Sequence, residues 1–231
     1  MKTLGFMDQY VRQFGSLDAA ISSLRAIAGA DQVDPRLDLQ TLFNALGRED
    51  EAFEVCQELE RLAPDHPRVL YNRAYHALKR GYLEEGLALF EAGRQLGVYG
   101  AKPLETNAPL WVPEFGRGQR VHLSLEGGFG DEIIQVRTAK LLARDYGCHV
   151  TVLCHPGLAN LFATIPEISA IAQKEAAGGI LHHSWLPGSS SFLALGLNYD
   201  DVSGEPYLKP DPRLVDVWRE SLGTSRGKFR V

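Results

Sequence analysis

The chain has 231 residues, 45% hydrophobic and 23% charged, enough to bury a core in one large or two small domains. A formal net charge of -5 excludes the basic footprint of a nucleic-acid-binding protein, and no uninterrupted apolar run is long enough to cross a bilayer. Cys56, Cys148 and Cys154 are scattered and odd in number, without a disulfide framework, and Met1–Phe6 carries no signal-peptide pattern; the expected compartment is a reducing cytoplasm.

Residues 1–100 read as helices only. Two amphipathic segments of one design, Arg48–Leu59 and Tyr82–Gly93, each follow a turn glycine, Gly47 and Gly81, which stand 34 positions apart. Small residues recur five positions after each glycine (Ala52, Gly86), where paired helices approach closely. Bulkier ones recur nine after it (Cys56, Phe90). Pro64 closes the earlier unit, and a weaker copy begins at Gly15 with Ala20 and Leu24 at matching offsets, 32 positions before Gly47. From about Phe6 to Gly97 the region resembles two and a half tetratricopeptide repeats, which implies a surface for a protein partner. The other reading is a helical hairpin bundle with no repeat relationship.

Residues 101–118, rich in proline, glycine and polar side chains, read as a connector, with Pro109-Leu110-Trp111 an apolar knot that packs onto a domain surface. From Arg120 the period changes. Val121, Leu123 and Leu125 alternate with His122, Ser124 and Glu126 as in a half-buried strand. Gly127, Gly128 and Gly130 then free a sharp turn, and Asp131 is placed to cap a helix running to Tyr146, with Gly147 closing it. A second strand at His149–Cys154, a short helix at Pro156–Ile165 and a third strand at Ile168–Ala172 follow. Gly178–Leu181 reads as another short strand, and Asp211–Leu222 as a closing helix. Strand and helix alternating in this way predict a parallel sheet in a doubly wound domain, whose strand ends hold anionic ligands.

The glycine turn admits three readings. A P-loop needs a lysine and a hydroxyl residue after its last glycine, where Asp131 and Glu132 stand. A dinucleotide fingerprint needs a third glycine, where Ile133 stands, and an acidic residue after the second strand, where Cys154-His155 stand. The third reading is a resemblance. Glu126 to Arg137, Glu-Gly-Gly-Phe-Gly-Asp-Glu-Ile-Ile-Gln-Val-Arg, is similar to the Glu-x-Gly-x-Gly-Asp-x-x-Gln-x-x-Arg stretch of bacterial tetratricopeptide-repeat glycosyltransferases, with Gln135 and Arg137 one residue closer together here. Pro109-Leu110-Trp111 with Gly118, the segment Trp185–Gly196 and Pro206-Tyr207-Leu208 resemble further parts of that layout.

The resemblance implies α + α/β architecture: tetratricopeptide-like repeats at 1–100, the connector, and a Rossmann-like amino-terminal half of a GT-B module at 119–231. Lys228–Val231 resembles the opening of the second half, so the expectation is an amino-terminal part of a longer enzyme. That enzyme would move a sugar from a nucleotide-sugar donor to a hydroxyl acceptor without a metal. This part would bind the acceptor, a sugar or protein, hold no cofactor of its own and be inactive alone.

Asp131 is the implied catalytic base; an ionised carboxylate complements a helix amino terminus, and plain capping is compatible with the role. Gly127, Gly128 and Gly130 are candidates for close backbone approach to substrate and Phe129 for substrate contact; Glu126 reads as a solvated edge carboxylate or as a group orienting the acceptor, and His183 and Ser189 as contacts from a neighbouring strand end. Gln135 and Arg137 read as structural. Cys148-His149 and Cys154-His155 sit at opposite ends of one strand, so the expected metal site is none. Ser189-Ser190-Ser191 lacks a nucleophile elbow. The alternative function is a non-catalytic interaction module with a relic α/β domain.

Overall fold

The computed structural model describes residues 2–29, 32–95 and 104–223. Among them are eleven α-helices and one four-stranded, all-parallel sheet, and the chain divides into two compact units, Met1–Gly100 and Ala101–Val231. The expected repeat end at Gly97 and the strand opening at Lys228–Val231 lie outside the described residues.

The first unit is three helical hairpins: α1 (Lys2–Phe14) with α2 (Leu17–Ile27), α3 (Val33–Ala45) with α4 (Glu49–Leu62), and α5 (Pro67–Lys79) with α6 (Leu83–Gln95). Each turns on a left-handed glycine: Gly15 at φ 85°, Gly47 at 70° and Gly81 at 90°. Five residues on, Ala20 and Ala52 are fully buried, and a Cβ added to Gly86 would lie 2.6 Å from Leu78 Cγ and 3.0 Å from its backbone nitrogen. The second helix of that hairpin therefore packs on the first at a spacing that only a hydrogen side chain permits. At the ninth position Leu24 and Cys56 are buried, and Phe90 meets Tyr71 with ring centroids 5.5 Å apart. Leu37, Leu42, Phe43, Leu59 and Val69 fill the space between successive hairpins.

The second unit is built on β1 (Arg120–Ser124), β2 (His149–Leu153), β3 (Ile168–Ala172) and β4 (Ser184–Pro187), in the order β3-β2-β1-β4. In register, Val121, Val150 and Ser184 share one face, as do Leu123, Val152 and Leu186. Against that face pack α7 (Phe129–Gln135), α8 (Arg137–Arg144) and α9 (Ala159–Phe162), through Val136 between the first two, through Ala139, Leu142 and Phe162, and through Leu158 in the turn before α9. The connector is stitched into this unit: Leu110 bridges to Trp185 in parallel, the Trp111 amide donates to the Trp185 carbonyl at 2.8 Å, and the Trp111 ring is buried edge-on to Tyr146.

Three expectations need correction. The helix predicted over Asp131–Tyr146 starts at Phe129 and is interrupted at Val136. The Tyr207 hydroxyl donates to the Ile133 carbonyl (2.7 Å) and the Thr138 hydroxyl to that of Gln135 (2.8 Å). The helical ladder thus shares its acceptors with side chains where the axis breaks. The strand predicted at Gly178–Leu181 is instead a 3₁₀ turn over Lys174–Gly179, and the fourth strand begins at Ser184. Finally, β1 is buried on both faces rather than one, because it is central and the β3–β4 connection crosses its second face. There the His182 ring stacks on the buried His122 ring at 3.9 Å. A right-handed return from β3 to β4 requires that side.

Gly86→Ala should cost about 1–3 kcal/mol through overpacking, and Gly81→Ala about 1–2 kcal/mol through left-handed strain alone. Urea unfolding with an unchanged m-value is the measurement.

Candidate functional site

The strand order sets the location. From β1 the chain winds to β2 and β3 on one side, then returns to β4 on the other, so the crevice outside the carboxyl ends of β1 and β4 is the topological switch point where open parallel sheets take ligands. Two loops line it, residues 125–128 after β1 and Gly188-Ser189 after β4.

These loops are tied to each other and to α7. The Ser189 hydroxyl donates to Glu126 Oε2 at 2.5 Å, and the Gly188 amide donates to the Ser124 carbonyl at 2.7 Å. Gln135 Oε1, in the last turn of α7, accepts the Glu126 amide at 2.8 Å, and a Cβ on Gly188 would overlap the same carboxamide. One turn earlier, the buried Glu132 accepts the His155 amide at 2.9 Å, fastening α7 to the end of β2. Glu132 and Gln135, three residues apart, thus face inward together.

The glycine turn stands open above this floor. Gly127 adopts φ 87°, and a Cβ there would lie 2.5 Å from Asp131 Oδ2. Asp131 is the third residue of α7 rather than its N-cap. Gly128 holds the cap position, and Asp131 Oδ2 accepts the Gly128 amide at 2.7 Å. The carboxylate is exposed, and its Oδ1 takes no hydrogen bond from the described residues. Phe129 is 51% exposed and tilts against the exposed His155 ring, centroids 4.6 Å apart. His155 Nδ1 accepts the Gly157 amide at 3.0 Å, so its neutral tautomer carries the proton on Nε2.

Glu126, Gly127, Gly128, Phe129, Gly130, Asp131 and Ser189 therefore gather at one sheet edge. His183 does not. Its Nδ1 accepts the amide of Arg120, the first residue of β1, at 3.2 Å, which puts it at the amino edge, a strand length away. Starting the last strand too early in the sequence placed this histidine at the wrong end. The site also contains residues that sequence reasoning did not assign to it: His155, Glu132, Gln135 and Gly188. The signal for His155 was its position directly after a strand's carboxyl end. Arg137 does not pair with Glu132; its guanidinium lies over the Tyr207 ring at 4.6 Å. All three cysteines are buried, and burial pushes the Cys56 and Cys154 thiols up to about 11. Among the described residues no group of three His, Cys, Asp or Glu side chains could hold a metal ion, and no helix is long and apolar enough to cross a membrane.

No protein family, curated protein or solved structure matches this chain, so its function rests on the geometry.

Two outcomes are expected. Gly188→Ala should displace the Gln135 carboxamide, and Gln135→Leu should leave the buried Glu126 amide without an acceptor. Each should cost about 1–3 kcal/mol in chemical denaturation. The second outcome concerns pH. Burial, and then the neighbouring His182, push His122 from its ordinary 6.5 to about 4, and neither His122 nitrogen has a hydrogen-bond partner among the described residues. The folded chain takes up this proton only near pH 4, the unfolded chain already near 6.5. Stability is then full above pH 6.5 and declines as pH falls towards 4. His122→Leu should flatten that decline in a series of melts, and an unchanged slope would remove His122 as its source.

Proposed function

We propose that the chain is the amino-terminal part of a glycosyltransferase: tetratricopeptide-like repeats followed by the Rossmann-like first half of a GT-B module that binds the acceptor. The observation that carries this reading is the open glycine turn at the switch point with Asp131 exposed beside it. The three hairpins with turn glycines and small residues at fixed offsets support the repeat assignment, and the β3-β2-β1-β4 parallel order supports the Rossmann-like one.

In this reading Asp131 accepts the proton of the acceptor hydroxyl as that oxygen attacks the anomeric carbon. The bond from that carbon to the nucleotide breaks, and the nucleotide leaves with its electron pair. The Gly128 amide fixes one carboxylate oxygen and leaves the other for the hydroxyl. Glu126, held by Ser189 and Gln135, keeps the floor of the acceptor site in place. The exposed Phe129 ring, tilted against His155, offers an aromatic face to a sugar ring. The donor is a nucleotide sugar carried by the second half, and this part needs no cofactor of its own.

A second reading, a non-catalytic interaction module, draws on α11 (Pro212–Leu222), where Leu214, Val217, Trp218 and Leu222 are each more than half exposed along one face.

One experiment separates them. In the longer protein supplied with nucleotide sugars and acceptor saccharides, Asp131→Asn should lower kcat by roughly 10²–10⁴ with little change in KM. The 231-residue chain alone should bind acceptor without transfer. Turnover by the isolated chain at an enzyme-like rate would overturn the division of labour, and a wild-type rate in Asp131→Asn would remove the base.

A further inference from the structure

On the outer side of α8 a half-open groove of about 280 Å³ runs between that helix and residues 197–207, and none of the crevice residues lines it. Arg137, Lys140 and Arg144 recur along α8 at i, i+3 and i+7, so one helix face presents three cations to the groove. The opposite wall is mixed: Leu197, Val202, Pro206 and Tyr207 supply its apolar surface, and Asp201, Ser203 and Glu205 its polar groups.

The cations differ in how they are balanced. Arg144 is held by both oxygens of Asp145 at 2.6 and 2.8 Å, and Lys140 lies 3.8 Å from Glu167. Two acids, both exposed, lie on the groove wall, Asp201, which accepts the Asn198 amide at 3.0 Å, and Glu205, and neither forms an ion pair with an α8 cation among the described residues. Arg137 forms no ion pair among the described residues. Its guanidinium is spread over the Tyr207 ring, which is itself fixed by the hydrogen bond to the Ile133 carbonyl, and its Nε is buried with no acceptor. A guanidinium stacked in this way has already lost its rotamer freedom, so its fork is set for a planar or tetrahedral oxyanion.

We propose that this groove is a binding site for a small organic oxyanion, a phosphate monoester or carboxylate on a compact apolar body, with Arg137 reading the head group and the Tyr207 side receiving the body. The site stands apart from the acceptor crevice and does not depend on the glycosyltransferase reading.

The test is calorimetric titration of the 231-residue chain with phenyl phosphate, benzoate, inorganic phosphate and benzyl alcohol, with nuclear magnetic resonance reporting the Tyr207 ring. Phenyl phosphate or benzoate should bind one per chain and shift the Tyr207 signals, and the tighter of the two identifies the head group. Inorganic phosphate should bind more weakly, and benzyl alcohol not at all. Arg137→Gln removes a charge-assisted contact and should weaken binding about tenfold or more. Arg137→Lys, which keeps the charge but loses the fork and the stack, should not restore it. If Arg137→Gln does not fold, Lys140→Gln on the exposed wall gives the same comparison, with a smaller loss expected. No saturable binding of either aromatic anion, equal binding of benzyl alcohol, or binding untouched by these substitutions would overturn the proposal.

Discussion

The carboxamide of Gln135 is the constraint on which the carboxyl edge of the α/β unit's sheet depends. It sits where the ends of β1 and β4 meet the last turn of α7, accepting the Glu126 amide and occupying the space that a side chain at Gly188 would need. A buried amide donor left without an acceptor is costly, so the loop after β1 is held to the helix that follows it. One turn back, Glu132 does the same for the loop after β2. Three strand ends are thus tied to a single short helix. The chain between β1 and α7 must then reverse within a few residues, which requires the left-handed conformation of Gly127 and brings Asp131 back over the turn.

That arrangement places buried polarity where a parallel sheet ordinarily carries aliphatic side chains. His122, Ser124 and Glu126 alternate along β1 and the two residues after it with the core residues Val121, Leu123 and Leu125, and all six are buried. Glu126 is satisfied through Ser189 at the carboxyl edge, whereas His122 stacks on the face of His182, which the Ile180 carbonyl and the Thr106 hydroxyl hold in place. The second face of β1 therefore changes character along its length, from an aromatic stack to a hydrogen-bonded floor. Opposite it, aliphatic packing with α7 to α9 supplies the hydrophobic burial of the unit.

Legibility in the sequence followed the reach of each signal. Gly15, Gly47 and Gly81 announced their turns because a left-handed residue is a local property, and the residues five and nine positions later were legible because they recur at the same offsets from each glycine. The alternation of Val121, Leu123 and Leu125 and of the residues in His149–Leu153 marked two strands, and Ile168–Ala172 was found at its observed bounds. The strand Ser184–Pro187 was missed because four residues including a serine and a proline carry no period. They become a strand through pairing with β1 and with the connector at Leu110. The displaced strand carried His183 to the wrong edge with it. Asp131, Ser189 and Glu126 could be nominated singly, but nothing in their spacing showed that Ser189 would bond Glu126 across 63 positions.

Local chemistry along the chain was thus sufficient for the change from helical to alternating period near residue 120, the hairpin turns and the glycine turn with its aspartate, because each depends on neighbours within a few residues. Pairing across the sheet is non-local. It set the strand order, buried both faces of β1, put His155 beside Phe129 and left the glycine turn open at the switch point. Those outcomes depend on which strands share hydrogen bonds and on which side the returning connection crosses, and no window of sequence contains both partners.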